Sequence, residues 1–173
     1  MDLRFEIEID DILAFHRYHF AHSKTVRNQK FLLIGLVAAI AIPASLIIES
    51  DINPNARLGL AVAFSVVFGI IFHVRHGSTL ERQVKNLIAE GSNAGMFGPH
   101  ELTVETKFLV EKTDVNESRH AWSAIDRVIE TDDYAFIYLS SVQAHIIPKH
   151  RVKQGDYDSF IEMFKEAAAR RGY

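Results

Sequence analysis

The chain contains no cysteine. This rules out a disulfide framework, a thiolate metal site and a cysteine nucleophile, and leaves the redox compartment undetermined. There is also no strong charge of one sign. Lys and Arg number 19 against 22 Asp and Glu, for a formal net charge of -3, and nothing in that total suggests a nucleic-acid partner. Catalytic signatures are missing as well. The chain has no Gly-x-Ser-x-Gly elbow, no Gly-rich phosphate loop and no His-Glu-x-x-His helix, and Gly95 to Gly98 is only a Gly-Met-Phe-Gly turn. The expectation is a protein that is not an enzyme, with no catalytic residue, cofactor or metal.

The near-neutral mean hydropathy of +0.03 averages two unlike parts. Two blocks carry no Asp, Glu, Lys or Arg: FLLIGLVAAIAIPASLII at 31–48 and LGLAVAFSVVFGIIFHV at 58–74. At about 1.5 Å per residue each spans roughly 25–27 Å, close to the hydrocarbon thickness of a bilayer, and flanking Arg57 and Arg75 can snorkel to make up the rest. A helix buried in a soluble core seldom stays apolar on every face for this length, and two in succession are rarer. The pattern predicts a transmembrane hairpin. A polar stretch with its own strand and helix patterns precedes it, so no processing segment is expected.

Lys24, Arg27 and Lys30 lie before the first span, and Arg75, Arg82 and Lys85 after the second. The loop between the spans holds Glu49 and Asp51 against Arg57 alone. The positive-inside rule puts both termini in the cytoplasm. Small residues recur every four positions: Gly35, Ala39 and Pro43 on one span, Ala61, Ser65 and Gly69 on the other. Such stripes let helices approach closely in lipid, and the expected contacts are Gly35 with Gly69 and Pro43 with Ala61. Pro43 should also kink its helix.

Outside the spans, Leu3, Phe5, Ile7 and Ile9 alternate with Arg4, Glu6 and Glu8, the period of a half-buried strand. Asp10 or Asp11 can cap a helix through about Phe20. Ser78 and Glu81 have capping-box spacing ahead of a stripe of Leu80, Val84, Leu87 and Ile88, which stops at Gly91. From His100 the period becomes two, and ELTVET, FLVEKT, SRHAW, DRVIET, YAFIYLS and AHIIP read as short strands. A last helix opens near Asp156, buries Tyr157, Phe160, Ile161, Phe164 and Ala168, and ends with Arg170 and Arg171 before Gly172. The predicted organisation is an N-terminal strand and helix (1–30), a transmembrane hairpin (31–74), a juxtamembrane helix and loop (75–99) and a soluble domain (100–173). The fold class is α+β, with a small curved sheet or barrel closed by the C-terminal helix. The N-terminal strand supplies a seventh strand, so the hairpin is an insertion.

Ala121–Val152, with Trp122, Ile125, Glu130, Thr131, Tyr134 and the Ile147-Pro148-Lys149 exit, resembles the YcxB-like family of bacterial membrane proteins. Ala14–Ser23, AFHRYHFAHS, resembles it too. The resemblance implies a membrane-anchored domain of pleckstrin-homology-like shape in a bacterial inner membrane and supplies no catalytic residue.

Histidines at 16, 19 and 22 fan across a helix with Asp10 and Asp11 as the only nearby carboxylates, so they read as surface or headgroup groups, as do His73 and His76. Trp122 reads as core. Lys149, Arg151 and Lys153, with His150, form the one basic run of the soluble part, a candidate contact for anionic lipid or an acidic partner. Lys107 and Lys112 lie among Glu105 and Glu111, a poor phosphoinositide site. The resulting expectation is a membrane-tethered interaction or scaffold protein whose partners are the bilayer and a protein not named by the sequence. The alternative is a homo-oligomeric transport or sensing component. Spans with only Ser45, Ser65 and His73 as polar groups make a meagre conduit.

Overall fold

A computed structural model describes residues 1–49, 51–91 and 93–169, with residues 76–78 and 80 in backbone only. It divides into two units: residues 1–15 with 88–173, and residues 16–87.

The first unit is built on two antiparallel sheets. Strands β1 (Asp2–Ile7), β2 (Gly98–Val104), β3 (Phe108–Thr113), β4 (Glu117–Ala121) and β8 (Val152–Gln154) form one sheet in the order β4-β3-β2-β1-β8. Strands β5 (Arg127–Glu130), β6 (Tyr134–Tyr138) and β7 (Ala144–Pro148) form the other. Among the described residues these are two open sheets and not a closed barrel, which corrects the barrel expectation. The reason is local. The chain leaves β4 through a 3-10 turn at Trp122–Ala124 and enters a new sheet, where β5 pairs only with β6.

As expected, the alternation of the first nine residues makes a strand, and it pairs with the segment on the far side of the apolar helices. Leu3 lies opposite Leu102 and Phe5 opposite His100. Leu3, Phe5, Ile7 and Leu102 are buried together in the core. The six strands read from His100 onward are all present. The eighth, Val152–Gln154, was missed: it is three residues long and sits inside the basic run, where alternation has no length in which to show. Gly155 follows at φ +91°, a left-handed conformation suited to glycine, and closes the return onto β1.

Helix α4 (Tyr157–Ala169) is capped by Asp156, whose Oδ1 accepts from Ser159 N–H at 2.8 Å. It buries Phe160, Ile161, Phe164 and Ala168, and Phe164 meets Trp122 at 5.5 Å between ring centroids. Trp122 is therefore core, although its indole N–H has no hydrogen-bond partner among the described residues. Lys165 and the Tyr157 hydroxyl both bind Glu130 of β5. Arg170, Arg171 and Gly172 lie outside the described residues.

Helix α1 (Ile9–His22) begins earlier than expected and runs from the first unit into the second. Asp11 is inside its first turn, not at the cap, and accepts from Glu8 N–H at 2.8 Å, the reach-back half of a capping box. Ser23 then caps helix α2 (Lys24–Ile47), and helix α3 runs unbroken from Pro54 to Glu90. The expected second start at Ser78 does not occur: helix continues through 78–81, while the side chains of His76, Ser78 and Leu80 lie outside the described residues. Pro54 opens α3 at the first helical position, where its missing N–H costs nothing.

Both helices are long and apolar enough to cross a membrane. None of the residues of α2 is buried. Half-buried positions on α3 include Leu58, Ala61, Ser65, Phe68, Gly69 and Phe72. On α2 they include Ile34, Val37, Ala38, Ala41 and Ile42, whereas Gly35, Ala39 and Pro43 are exposed. The small-residue stripe expected to face α3 is thus one position out of register. Gly69 meets Ile34, whose Cγ2 would lie 3.4 Å from an added Cβ, while an added Cβ at Gly35 meets nothing within 4 Å. Ser45 and Ser65 give their hydroxyl protons to carbonyls of their own helices, Ile42 and Ala61.

Candidate functional site

The basic run is split by local structure. Pro148 ends β7, a 3-10 turn carries Lys149 to Arg151, and β8 begins at Val152. The three expected contact cations therefore point to separate places. Lys149 Nζ donates to the Thr131 carbonyl at 2.6 Å and lies 5.0 Å from the centre of the Tyr157 ring. Arg151 Nε is 3.1 Å from Asp11 Oδ2, and its Nη1 reaches Glu8. Lys153 Nζ is 3.7 Å from Glu6 and is mostly exposed. Two of the three cations are thus committed to internal partners, so the run does not present a free basic face.

Arg151 belongs instead to a node that the sequence reading did not assemble. Asp11 is fully buried and accepts from Glu8 N–H and, at 3.1 Å, from the Tyr134 hydroxyl, with the Arg151 guanidinium beside it. His150 Nε2 stands 3.9 Å from the same carboxylate. Burial, then the Asp11 carboxylate, push the Tyr134 hydroxyl up to about 12. A buried carboxylate that accepts from a backbone amide and a phenol, with a guanidinium beside it, is a structural anchor for the first turn of α1.

A second polar group occupies the interior. Glu111 Oε1 accepts from His100 Nδ1 at 3.1 Å and from His145 Nδ1 at 3.0 Å, and Ser118 Oγ is 3.4 Å from Oε2. His100 and His145 are 5% and 6% exposed, which makes them core residues and not surface groups. Burial pushes the Glu111 carboxyl up, but the two imidazole hydrogen bonds outweigh it and hold the group well below the usual carboxylate range. In the sequence Glu111 stands out only as a carboxylate near Lys107 and Lys112. Parity carried the missed signal, because His100, Glu111 and His145 each stand two residues from a buried Leu102, Leu109 or Ile147.

The His16 and His19 rings lie beside Phe20, and His22 Nδ1 is 2.8 Å from the Tyr18 carbonyl oxygen. Among the described residues no group of three or more His, Asp or Glu is placed to hold a metal ion.

Residues 105–164 match the model of the YcxB-like protein family. The likeness to the YcxB-like family lies in that segment, about a third of the chain. The matched YcxB-like segment runs from the turn before β3 into α4, and leaves β1, the three long helices and β2 outside. No curated protein and no solved structure matches the chain.

Proposed function

We propose that this YcxB-like protein is a membrane-anchored interaction module with no catalytic role, its pleckstrin-homology-like domain carried at the cytoplasmic face by a two-helix hairpin. One observation carries the reading. Strands β1 and β2 pair along their full register, yet the two apolar helices lie between them in sequence. Paired strands must lie on one side of a membrane, so a segment inserted between them crosses it an even number of times. The apolar surface of α2, on which no residue is buried, supports insertion in lipid, since in water such a face needs a protein cover. The flanking cations favour the cytoplasm as the shared side. Two antiparallel sheets with a C-terminal helix against them support the pleckstrin-homology-like comparison.

In-cell crosslinking of the full chain, with identification of the captured proteins, tests the interaction role. A recurrent heterologous partner is expected. Capture of the chain by itself alone, as a defined oligomer, favours the second reading, a homo-oligomeric sensing or transport component. The exposed stripe of Gly35, Ala39 and Pro43 supports that second reading, because it leaves a closely packable helix face turned away from α3.

A further inference from the structure

We propose that the groove between α2 and α3 holds one anionic phospholipid of the cytoplasmic leaflet, with an acyl chain along the groove and the headgroup on Arg27, Lys30 and Arg75. The site rests on the reading of the hairpin as membrane-spanning. The groove has a volume of about 540 Å³, and its lining includes Phe31, Ala38 and Ile42 of α2 and Val62, Val66 and Val74 of α3. Ala38 and Gly69 are part of the same lining, and side chains this small leave the space between the helices unfilled. From Phe31 to Ile42 on α2 and from Val62 to Val74 on α3 the lining advances eleven and twelve residues. At about 1.5 Å per residue that is roughly 16–18 Å, close to half of the ~30 Å hydrocarbon thickness, the depth of one leaflet. Polar groups along it are few: Ser65, whose hydroxyl proton goes to the Ala61 carbonyl, and His73 near the Val74 end.

The two ends of the groove differ in charge. At one end Lys30 directly precedes Phe31, Arg75 directly follows Val74, and Arg27 stands one helical turn before Phe31. Lys30 Nζ donates to the His73 carbonyl oxygen at 3.4 Å, which sets the ammonium across the mouth from α2 to α3 and uses one of its three protons. Arg27 and Arg75 are exposed. Within residues 16–87 the carboxylates are Glu49, Asp51 and Glu81. Glu49 and Asp51 lie at the opposite end, between α2 and α3, and Glu81 is held by Arg17 and Lys85. The positive charge at this mouth therefore calls for an anion from outside the chain.

This arrangement favours lipid over a second copy of the chain. A copy inserted in the same orientation brings its own Arg27, Lys30 and Arg75 to the same depth, where like charges oppose one another. A phospholipid instead brings its phosphate to the level of the cations and its acyl chain to the level of the groove. Guanidinium groups bind phosphate oxygens in pairs, and the Lys ammonium adds a point charge.

The test reconstitutes the full chain in phosphatidylcholine vesicles with a trace of spin-labelled phosphatidylglycerol or spin-labelled phosphatidylcholine. The fraction of label immobilised by the protein gives the preference between the two headgroups. The wild type should favour phosphatidylglycerol about threefold or more at low salt. Arg27→Gln with Lys30→Gln and Arg75→Gln should bring the ratio close to one. Val66 is exposed and lines the groove, so Val66→Trp should fill the space without unseating the hairpin and should lower the ratio too. A wild type without preference overturns the site. So does a preference that Val66→Trp leaves intact, since the cations then attract anionic lipid with no part played by the groove. Ready disulfide formation between copies carrying Val66→Cys would put a second copy in the groove and would also overturn it. If the triple variant does not insert, the wild type at about 0.5 M salt decides: the preference should shrink, and an unchanged one overturns the site. Resistance to alkaline extraction, measured on the same vesicles, separates this site from the reading beneath it. A chain that is extracted does not span the bilayer, and the site falls with that reading, whereas an inserted chain without preference removes the site alone.

Discussion

The Tyr134 hydroxyl donates to Asp11 Oδ1 across 3.1 Å, joining β6 to the first turn of the helix that leads into the apolar hairpin. Asp11 is fully buried, and it also receives Glu8 N–H and faces the Arg151 guanidinium. Asp11→Ala leaves the phenol and the amide without an acceptor and the guanidinium without its buried counter-charge, and should destabilise the domain by about 3 kcal/mol or more. Tyr134→Phe removes one hydrogen bond and should cost about 1 kcal/mol. Denaturant unfolding followed by Trp122 fluorescence measures both. An Asp11→Ala loss no larger than that of Tyr134→Phe would remove the node as an anchor.

The same contact sets an alkaline limit. Tyr134 has a folded-state value of about 12, and burial with the Glu130 hydrogen bond raises that of Tyr157 as well. Groups whose proton is held more tightly in the folded state contribute stability that is complete below the ordinary phenol value, about 10, and is lost as pH rises through the folded value. Stability should therefore begin to fall above about pH 10, and the fall should be smaller in Tyr134→Phe. Unfolding free energies measured across that range that do not decline would contradict the assignment.

Gly155 marks where the chain turns from β8 to α4. At φ +91° an added Cβ would sit 2.5 Å from the Asp2 carbonyl oxygen. Gly155→Ala should cost about 2 kcal/mol or more, through backbone strain and displacement of β1. Gly59, a helical glycine with open space around it, should accept alanine with no loss. Thermal midpoints of the two variants give the comparison, and equal effects would be evidence against the turn as the source.

In the hairpin, Gly69 faces Ile34 while Gly35 faces open space. Gly69→Leu should loosen the pair of helices, whereas Gly35→Leu and Val66→Leu should leave it intact. Protease sensitivity of α2 and α3 in detergent reports the difference. A Gly69 variant as resistant as wild type would remove the Ile34 contact from the account.

Much of the fold could be read from the sequence where a period was long enough to repeat. Two uncharged blocks gave the two apolar helices, and alternation gave β1 to β7. Two cases failed because the deciding fact is not local. Whether α2 turns Gly35 or Ile34 toward α3 depends on helix rotation, which a stripe of small residues on an all-apolar surface does not fix. Continuity of α3 through 78–81 overrode a capping-box pattern, since an existing helix extends more readily than a new one nucleates. The polar groups of the interior were less legible still. Asp11 and Arg151 are 140 residues apart in sequence and meet only through the β1–β8 return. The basic run looked like a surface because nothing in it names the carboxylates that hold it.

The central claim is that the chain crosses the membrane twice and keeps the YcxB-like domain in the cytoplasm. Because there is no native cysteine, single Asp51→Cys and Val142→Cys variants can be labelled in intact cells with a membrane-impermeant thiol reagent. Asp51 lies in the turn between α2 and α3, and Val142 in the exposed turn between β6 and β7. The account predicts labelling at 51 in intact cells, and at 142 only after permeabilisation. Labelling at both positions, at neither, or at 142 alone in intact cells would contradict it.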